Sequence, residues 1–180
     1  MELIFINEFE IVEKMAKSLY ELLQSCFPEA EYRQRIYFKQ LPHYRILALE
    51  NKKLVGQLGI DYRVMNLNGE AVKVFGVVDL CVTASMRGKG IGKKLMLEFE
   101  AIAKRNRNGI DFLFLVTDDA GFYEKLGYQQ TKLTTTWLKI DQHNNYGQGT
   151  EAIDDAFFMV KAVSDKVWEN GDLDMLGYMY

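Results

Sequence analysis

The stretch Gly76-Val77-Val78-Asp79-Leu80-Cys81-Val82 is nearly continuous in apolar residues and is soon followed by Arg87-Gly88-Lys89-Gly90-Ile91-Gly92. A short apolar run of this kind reads as a strand buried on both faces, the expected centre of a sheet. Beyond the glycines, Ile91, Leu95, Phe99 and Ile102 recur at helical spacing through Arg105. The order is therefore strand, glycine loop, helix. Three glycines in six residues let backbone approach a ligand closely, and N–H groups at a helix N-terminus form an anion cradle. Arg87, Lys89, Lys93 and Lys94 add positive charge, so a phosphate chain or pyrophosphate is the natural guest. The same glycines would also suit a turn that only packs helix on strand.

Spacing excludes two other phosphate binders. A nucleotide P-loop, GxxxxGK[ST], would need glycine where Arg87 stands and Ser or Thr where Lys94 stands. A dinucleotide fingerprint, GxGxxG, would begin at Gly88 and Gly90 and need glycine at Lys93.

At 180 residues the chain has the length of one domain, and 48% hydrophobic with 26% charged residues is a globular composition. A net charge of −3 provides no basic field for a phosphate backbone, so no nucleic-acid partner is expected. Two cysteines, Cys26 and Cys81, and two histidines, His43 and His143, show no metal-ligand spacing, so neither a disulfide framework nor a metal is expected. No run approaches a membrane span, and Met1 to Ile6 has no basic region and only four consecutive apolar residues. A reduced, cytoplasmic protein follows as the expectation.

Periodicity places an amphipathic helix over Glu8 to Phe27, stopped by Pro28, and then a mixed basic and aromatic segment, Tyr32 to Lys39. Strands follow over Arg45 to Glu50, Leu54 to Leu67 and Ala71 to Thr83, the last two joined by the hairpin turn Asn68-Gly69. Asp111 to Val116 reads as a strand, and Asp118-Asp119 can cap a two-turn helix ended by Gly127. Trp137 to Ile140 and Ala156 to Val163 read as strands separated by a polar segment, Asp141 to Thr150, while Trp168 to Tyr180 shows no clear period.

Val77 to Val82, Arg87 to Gly92, and Gly121-Phe122-Tyr123-Glu124-Lys125-Leu126-Gly127-Tyr128 together resemble the GNAT family of acetyl-CoA-dependent N-acetyltransferases. The glycine loop is similar to the family's [RQ]xxGx[GA] element and the last run to its FYxKxGF element, and the resemblance spans Arg45 to Tyr128. It implies an α/β (α+β) fold: a mixed, largely antiparallel twisted sheet of six to seven strands flanked by helices. It also implies a single domain over 1–180, with the cofactor core at 45–128 and C-terminal strands and an acidic tail at 129–180. By resemblance, Arg87, Gly88, Lys89, Gly90, Ile91 and Gly92 bind the CoA pyrophosphate. Leu80, Cys81 and Val82 pair with the pantetheine, the backbone groups of Leu80 and Val82 freed where this strand splays from its parallel neighbour, and the N–H of Cys81 or Val82 serves as oxyanion donor.

The chemistry has an amine attack a thioester and expel a thiolate, which calls for an acid, an oxyanion donor and often a base. Tyr123 falls where the family places the tyrosine that protonates the departing sulfur; packing beside Phe122 is its other reading. Asp79 lies near the family's carboxylate base, or is a structural carboxylate. Cys81 has no neighbouring histidine in sequence to activate it and reads as a small buried hydrophobe. Trp168-Glu169-Asn170-Gly171-Asp172 is similar to the Trp-x-x-Gly-Asp ending of aminoglycoside 2′-N-acetyltransferases, which implies that Asp172 holds a cationic acceptor. Glu169 and Asp174 would add to that field, unless the tail is merely solvated. The implied reaction is direct acetyl transfer from acetyl-CoA to a primary amine of a small cationic molecule, by a homodimer. A CoA-binding regulatory domain and a protein or peptide N-acetyltransferase stay open as alternatives.

Overall fold

The computed structural model describes residues 1–30, 32–105, 109–153 and 157–180. Ten strands and three α-helices of five residues or more are found among them. The chain divides into two compact units, Met1–Asp61 with Val78–Ala101, and Tyr62–Val77 with Ile102–Tyr180.

The first unit holds β1 (Glu2–Asn7), α1 (Glu13–Cys26), β2 (Tyr44–Glu50), the first part of β3 (Lys53–Leu67), the end of β4 (Glu70–Val82) and most of α2 (Ile91–Arg105). β1 pairs antiparallel with β2 and β2 with β3, and β3 lies beside β4. The helix expected from Glu8 begins only at Glu13. Glu8–Glu10 forms a single 3-10 turn closed by Asn7, whose backbone and side-chain N–H groups donate to Glu10, and Ile11 and Val12 are then extended. Two adjacent β-branched residues favour that extension. α1 buries Leu19, Leu22 and Leu23, and the last two share a core with Tyr32 and Cys81.

Arg45 on β2 is 1% exposed yet charged. Its guanidinium grips Glu8 through both carboxylate oxygens, at 2.7 and 2.9 Å, and also donates to Gln57 Oε1 (2.9 Å) and the Ile36 carbonyl (2.6 Å). A bidentate pair with four of the five guanidinium N–H donors bonded is the arrangement a buried charge requires.

The second unit continues β3 and β4 around the Asn68-Gly69 turn and adds β5 (Phe112–Thr117), α3 (Ala120–Glu124), β6 (Gln129–Thr131), β7 (Leu133–Asp141), β8 (Asn144–Ala152), β9 (Phe157–Ala162) and β10 (Gly171–Tyr178). Its strand order is β6-β9-β5-β4-β3-β10-β7-β8. The β4/β5 and β10/β7 ladders are parallel, and the others with a described register are antiparallel. Phe112, Phe114, Phe158, Val160, Leu173 and Met175 belong to its core, and Trp168 stacks on Phe114 at 5.6 Å.

The mixed, largely antiparallel plan is the expected one, but ten strands replace six to seven. The polar segment Asp141 to Thr150 is mostly β8 and its turn, and the aperiodic tail holds β10, which pairs with both β3 and β7. β8 is held by β7 rather than by an apolar face, and the apolar face of β10 is confined to Leu173 and Met175, so hydrophobic period marked neither. Ala156, the expected start of the strand before Val163, lies outside the described residues. No helix among the described residues is long and apolar enough to cross a membrane.

Candidate active site

β4 carries Asp79 at φ +51°, a left-handed conformation in mid-strand. Asp and Asn tolerate that region better than most residues because their short polar side chains bond locally. The backbone carbonyl of Asp79 accepts from Gln57 Nε2. Its half-buried carboxyl is hydrogen-bonded to the Tyr32 hydroxyl and lies in the fields of Arg45 and Lys39. Burial nevertheless pushes that carboxyl above the ordinary aspartate range, and the three partners only partly oppose it. The Tyr32 hydroxyl is pushed up by burial and then by Asp79, and the Lys39 ammonium is pushed down by burial.

A carboxyl whose folded pKa is raised contributes least stability when ionised, and stability falls as pH rises through the folded pKa. Asp79→Asn should therefore unfold at a higher temperature than wild type at neutral pH, with a gap that closes towards acid pH. Thermal melts at several pH values check this, and a variant melting below wild type at neutral pH would contradict it.

Beyond Asp79, Cys81 is buried, and a Cβ built on Gly56 of β3 would stand 3.0 Å from its carbonyl oxygen, so β3 and β4 approach closely here. Leu80 and Val82 are half-buried. The two cysteines, distant in sequence, are hydrogen-bonded: the Cys26 thiol is pushed down to about 6, chiefly by its bond from Cys81, whose own thiol is pushed up. As a thiol, Cys26 also donates to the Val82 carbonyl at 3.5 Å, and Arg87 Nε donates to the same oxygen at 3.0 Å. Thus Arg87 turns back onto the strand, and the Val82 carbonyl expected to face a cofactor already has two partners.

After one 3-10 turn, Ala84–Met86, the chain passes Gly88 (φ +75°) and Gly90 (φ +76°) and enters α2 at Ile91. A Cβ at either glycine would meet nothing within 4 Å, so these residues are glycine for their backbone angles and the space before them is open. Ile91 is buried and anchors the helix, Gly92 is half-buried, and Lys89, Lys93 and Lys94 are exposed around the cradle. Backbone donors, a 15-residue helix and three exposed lysines fit a pyrophosphate-sized anion.

In the second unit, Asp119 caps α3 by accepting from the Phe122 N–H at 3.4 Å, and Gly127 follows at φ +83°. Tyr123 is half-buried, packed edge-on against Phe122 and Tyr128. Burial, then Asp119 and Asp118, push its phenol up to about 12, so it stays protonated throughout the neutral range. Parallel pairing of β4 with β5 covers Val74–Gly76, while β5 pairs with β9 as far as Thr117.

Asp172 is exposed on β10, and Asp174, two residues on, shares its face, with Leu173 and Met175 buried on the other. The Asp174 carboxylate accepts from the Leu176 N–H. Trp168, the first residue of the Trp-x-x-Gly-Asp run, serves packing, with its indole N–H donating to Thr131. Among the described residues no group of three His, Cys, Asp or Glu could hold a metal. Sequence reasoning missed Tyr32, Lys39 and Arg45 as neighbours of Asp79. The mixed basic and aromatic composition of Tyr32 to Lys39 was the only signal for the first two, and Arg45 had none.

Residues 10–131 match the acetyltransferase (GNAT) domain, and the chain belongs to that family. Its fold is similar to the GNAT family N-acetyltransferase YhbS of Escherichia coli in complex with CoA, at 16% identity and TM-score 0.64, covering 97% of this chain and 89% of that one. It is similar to an aminoglycoside 6′-acetyltransferase type Ii at 20% identity and TM-score 0.59, covering 93% and 100%. A probable N-acyltransferase of Enterococcus faecalis matches at 19% identity and TM-score 0.60 over 73% of this chain, which spans only 33% of that protein's length.

Proposed function

We propose that the protein transfers an acetyl group from acetyl-CoA to a primary amine of a small cationic acceptor, the whole chain acting as one acetyltransferase domain in the cytoplasm, as a homodimer. The observation that carries this is the cradle of Gly88 and Gly90, open in front and closed behind by the N-terminus of α2, within a GNAT-family chain. The CoA-bound Escherichia coli relative has the same fold. Bound acetyl-CoA would supply an activated acetyl thioester. In this reading the loop Arg87 to Gly92 holds the pyrophosphate, mainly through backbone N–H groups, and Leu80, Cys81 and Val82 pair with the pantetheine. The Cys81 or Val82 N–H then faces the developing oxyanion.

Asp79 is the base: burial raises its carboxyl, which brings it nearer the range in which a carboxylate removes a proton from an ammonium. Tyr123 is the acid, kept neutral by its raised pKa and so able to donate to a leaving thiolate. Asp172 and Asp174, on one face of β10, give a cationic acceptor its counter-charge. The similar aminoglycoside 6′-acetyltransferase acts on such an amine within the same fold. The two free thiols suit a reducing compartment.

Thiol release from acetyl-CoA with aminoglycosides, polyamines and short peptides, beside calorimetry with CoA, tests the reading. Turnover on a cationic small molecule supports it, whereas CoA binding without turnover would favour a regulatory domain. Gly90→Val should weaken CoA binding by about thirtyfold, or ~2 kcal/mol, because a β-branched side chain both resists φ +76° and fills the cradle. Unchanged affinity in a folded Gly90→Val protein would remove the cradle from the site.

A further inference from the structure

The C-terminal end of α1 meets β4 through the two cysteines of the chain. Cys26 is the last residue of the helix and packs against the cluster formed by Leu22, Leu23, Tyr32 and Cys81. Its Sγ lies 3.5 Å from the carbonyl oxygen of Val82, the residue after Cys81, and the two thiols are hydrogen-bonded to each other. Arg87 Nε donates to the same carbonyl at 3.0 Å, so a guanidinium stands beside the sulfur. Cys26 is half-buried, Cys81 is buried, and the sequence contains no other cysteine. One reachable thiol is thus backed by one shielded thiol, on the strand assigned above to acetyl-CoA.

We propose that Cys26 is a thiol–disulfide exchange site with Cys81 as its resolving partner: a low-molecular-weight disulfide oxidises the pair, and the bond that closes between α1 and β4 tightens the binding of CoA. The exchange stands on the thiol pair alone, whereas its effect on CoA rests on the acetyltransferase reading.

The Cys26 thiolate attacks one sulfur of the small disulfide, forms a mixed disulfide and releases the other half as a thiolate. The Cys81 sulfur then attacks the Cys26 sulfur, and its proton passes to the second departing thiolate. The cysteine pair is oxidised by two electrons, and the small disulfide is reduced to two thiols.

The two sulfurs differ in the way these roles require, since attack needs a thiolate that solvent can reach. The Cys26 thiol is pushed down to about 6, chiefly by its bond from Cys81 and against burial, with Ser25 and Arg87 adding to the effect. Cys81 is pushed up, first by that same bond. Capping Cys26 removes the anion that holds the Cys81 proton, so Cys81 is released to attack only after exchange has begun.

The sign of the effect on CoA follows from Val82 and Arg87. A reduced Cys26 opposes the cofactor in either protonation state. As a thiol it occupies the Val82 carbonyl proposed to pair with pantetheine, and as a thiolate it sets a negative charge beside Arg87, on the loop proposed for the pyrophosphate. A sulfur bonded to Cys81 carries neither the proton nor the charge.

Purified protein treated with glutathione disulfide should yield, in a non-reduced digest read by mass spectrometry, a peptide pair joined through Cys26 and Cys81. Cys81→Ala should stop at a glutathione adduct on Cys26, and Cys26→Ser should give no cross-link. Calorimetry should show the oxidised protein binding CoA about threefold to tenfold more tightly than the reduced one, the worth of one hydrogen bond. Dithiothreitol should abolish the gain, and Cys26→Ser treated alike should show none. Two free thiols after treatment, or disulfides only between separate molecules, overturn the exchange site. A joined pair with unchanged or weakened CoA affinity overturns the effect on the cofactor. If neither form binds CoA, the acetyltransferase reading falls and that effect with it, while the cross-link still establishes the exchange site.

Discussion

Tyr123→Phe is expected to lower kcat by about 10³-fold, or ~4 kcal/mol of transition-state stabilisation, and to leave the CoA dissociation constant unchanged. Phe keeps the edge-on contacts with Phe122 and Tyr128 and removes only the hydroxyl. The loss is then confined to the step in which a leaving sulfur needs a proton, and falls on kcat and kcat/KM alike. Because its phenol is pushed up to about 12, wild-type turnover should show no alkaline limb from this group below that pH. Single-turnover kinetics beside calorimetry separate the two quantities. A variant that turns over like wild type would leave Tyr123 as packing alone, and one that loses CoA affinity in proportion would make it part of the cofactor site.

Glu8→Ala is expected to cost ~3–5 kcal/mol of stability, because it leaves the Arg45 guanidinium buried without its carboxylate. The pair is 1% and 9% exposed, so water cannot replace the missing partner. Gln57 and Ile36 would still accept from Arg45, but neither neutralises it. Denaturant unfolding followed by circular dichroism reads the loss. Replacing both residues, as Glu8→Leu with Arg45→Met, should recover part of it, since a well-packed apolar pair avoids the unpaired charge. If Glu8→Ala melts with wild type, the ion pair contributes no more than a solvent-exposed one. Since Gln57 also donates to the Asp79 carbonyl, the same loss should loosen the strand that carries the proposed base.

What could be read in the sequence follows physical lines. The Asn68-Gly69 turn, α2 and the Asp119 cap were legible because each is fixed by local rules acting within a few residues. β8 was not, since Asn144–Ala152 is almost wholly exposed and owes its extension to β7. β10 was hidden for a different reason: the alternation of Asp172, Leu173, Asp174 and Met175 lasts only four residues before exposed Leu176, at φ +47°, and a register shift against β7 break it. At the site, the glycine loop was visible as composition at fixed spacing, and its φ values agree. The surroundings of Asp79 were not visible, because the Tyr32 hydroxyl, Gln57 and the charges of Arg45 and Lys39 reach it only through tertiary packing. The contact of Cys26 with Cys81 is of the same kind: no spacing rule links the end of a helix to the middle of a strand.

β3 and β4 each pass from one compact unit into the other, and the unit boundaries fall within these strands, at Asp61/Tyr62 and Val77/Val78. No contiguous piece of the gene therefore encodes either unit, and truncations at those boundaries would sever two ladders and yield insoluble fragments. The place to divide the polypeptide is instead the exposed turn at Asn68-Gly69, where both strands stay whole. Halves parted there are the natural pair for a split-protein complementation assay, in which regained CoA binding would report that the two pieces have found each other.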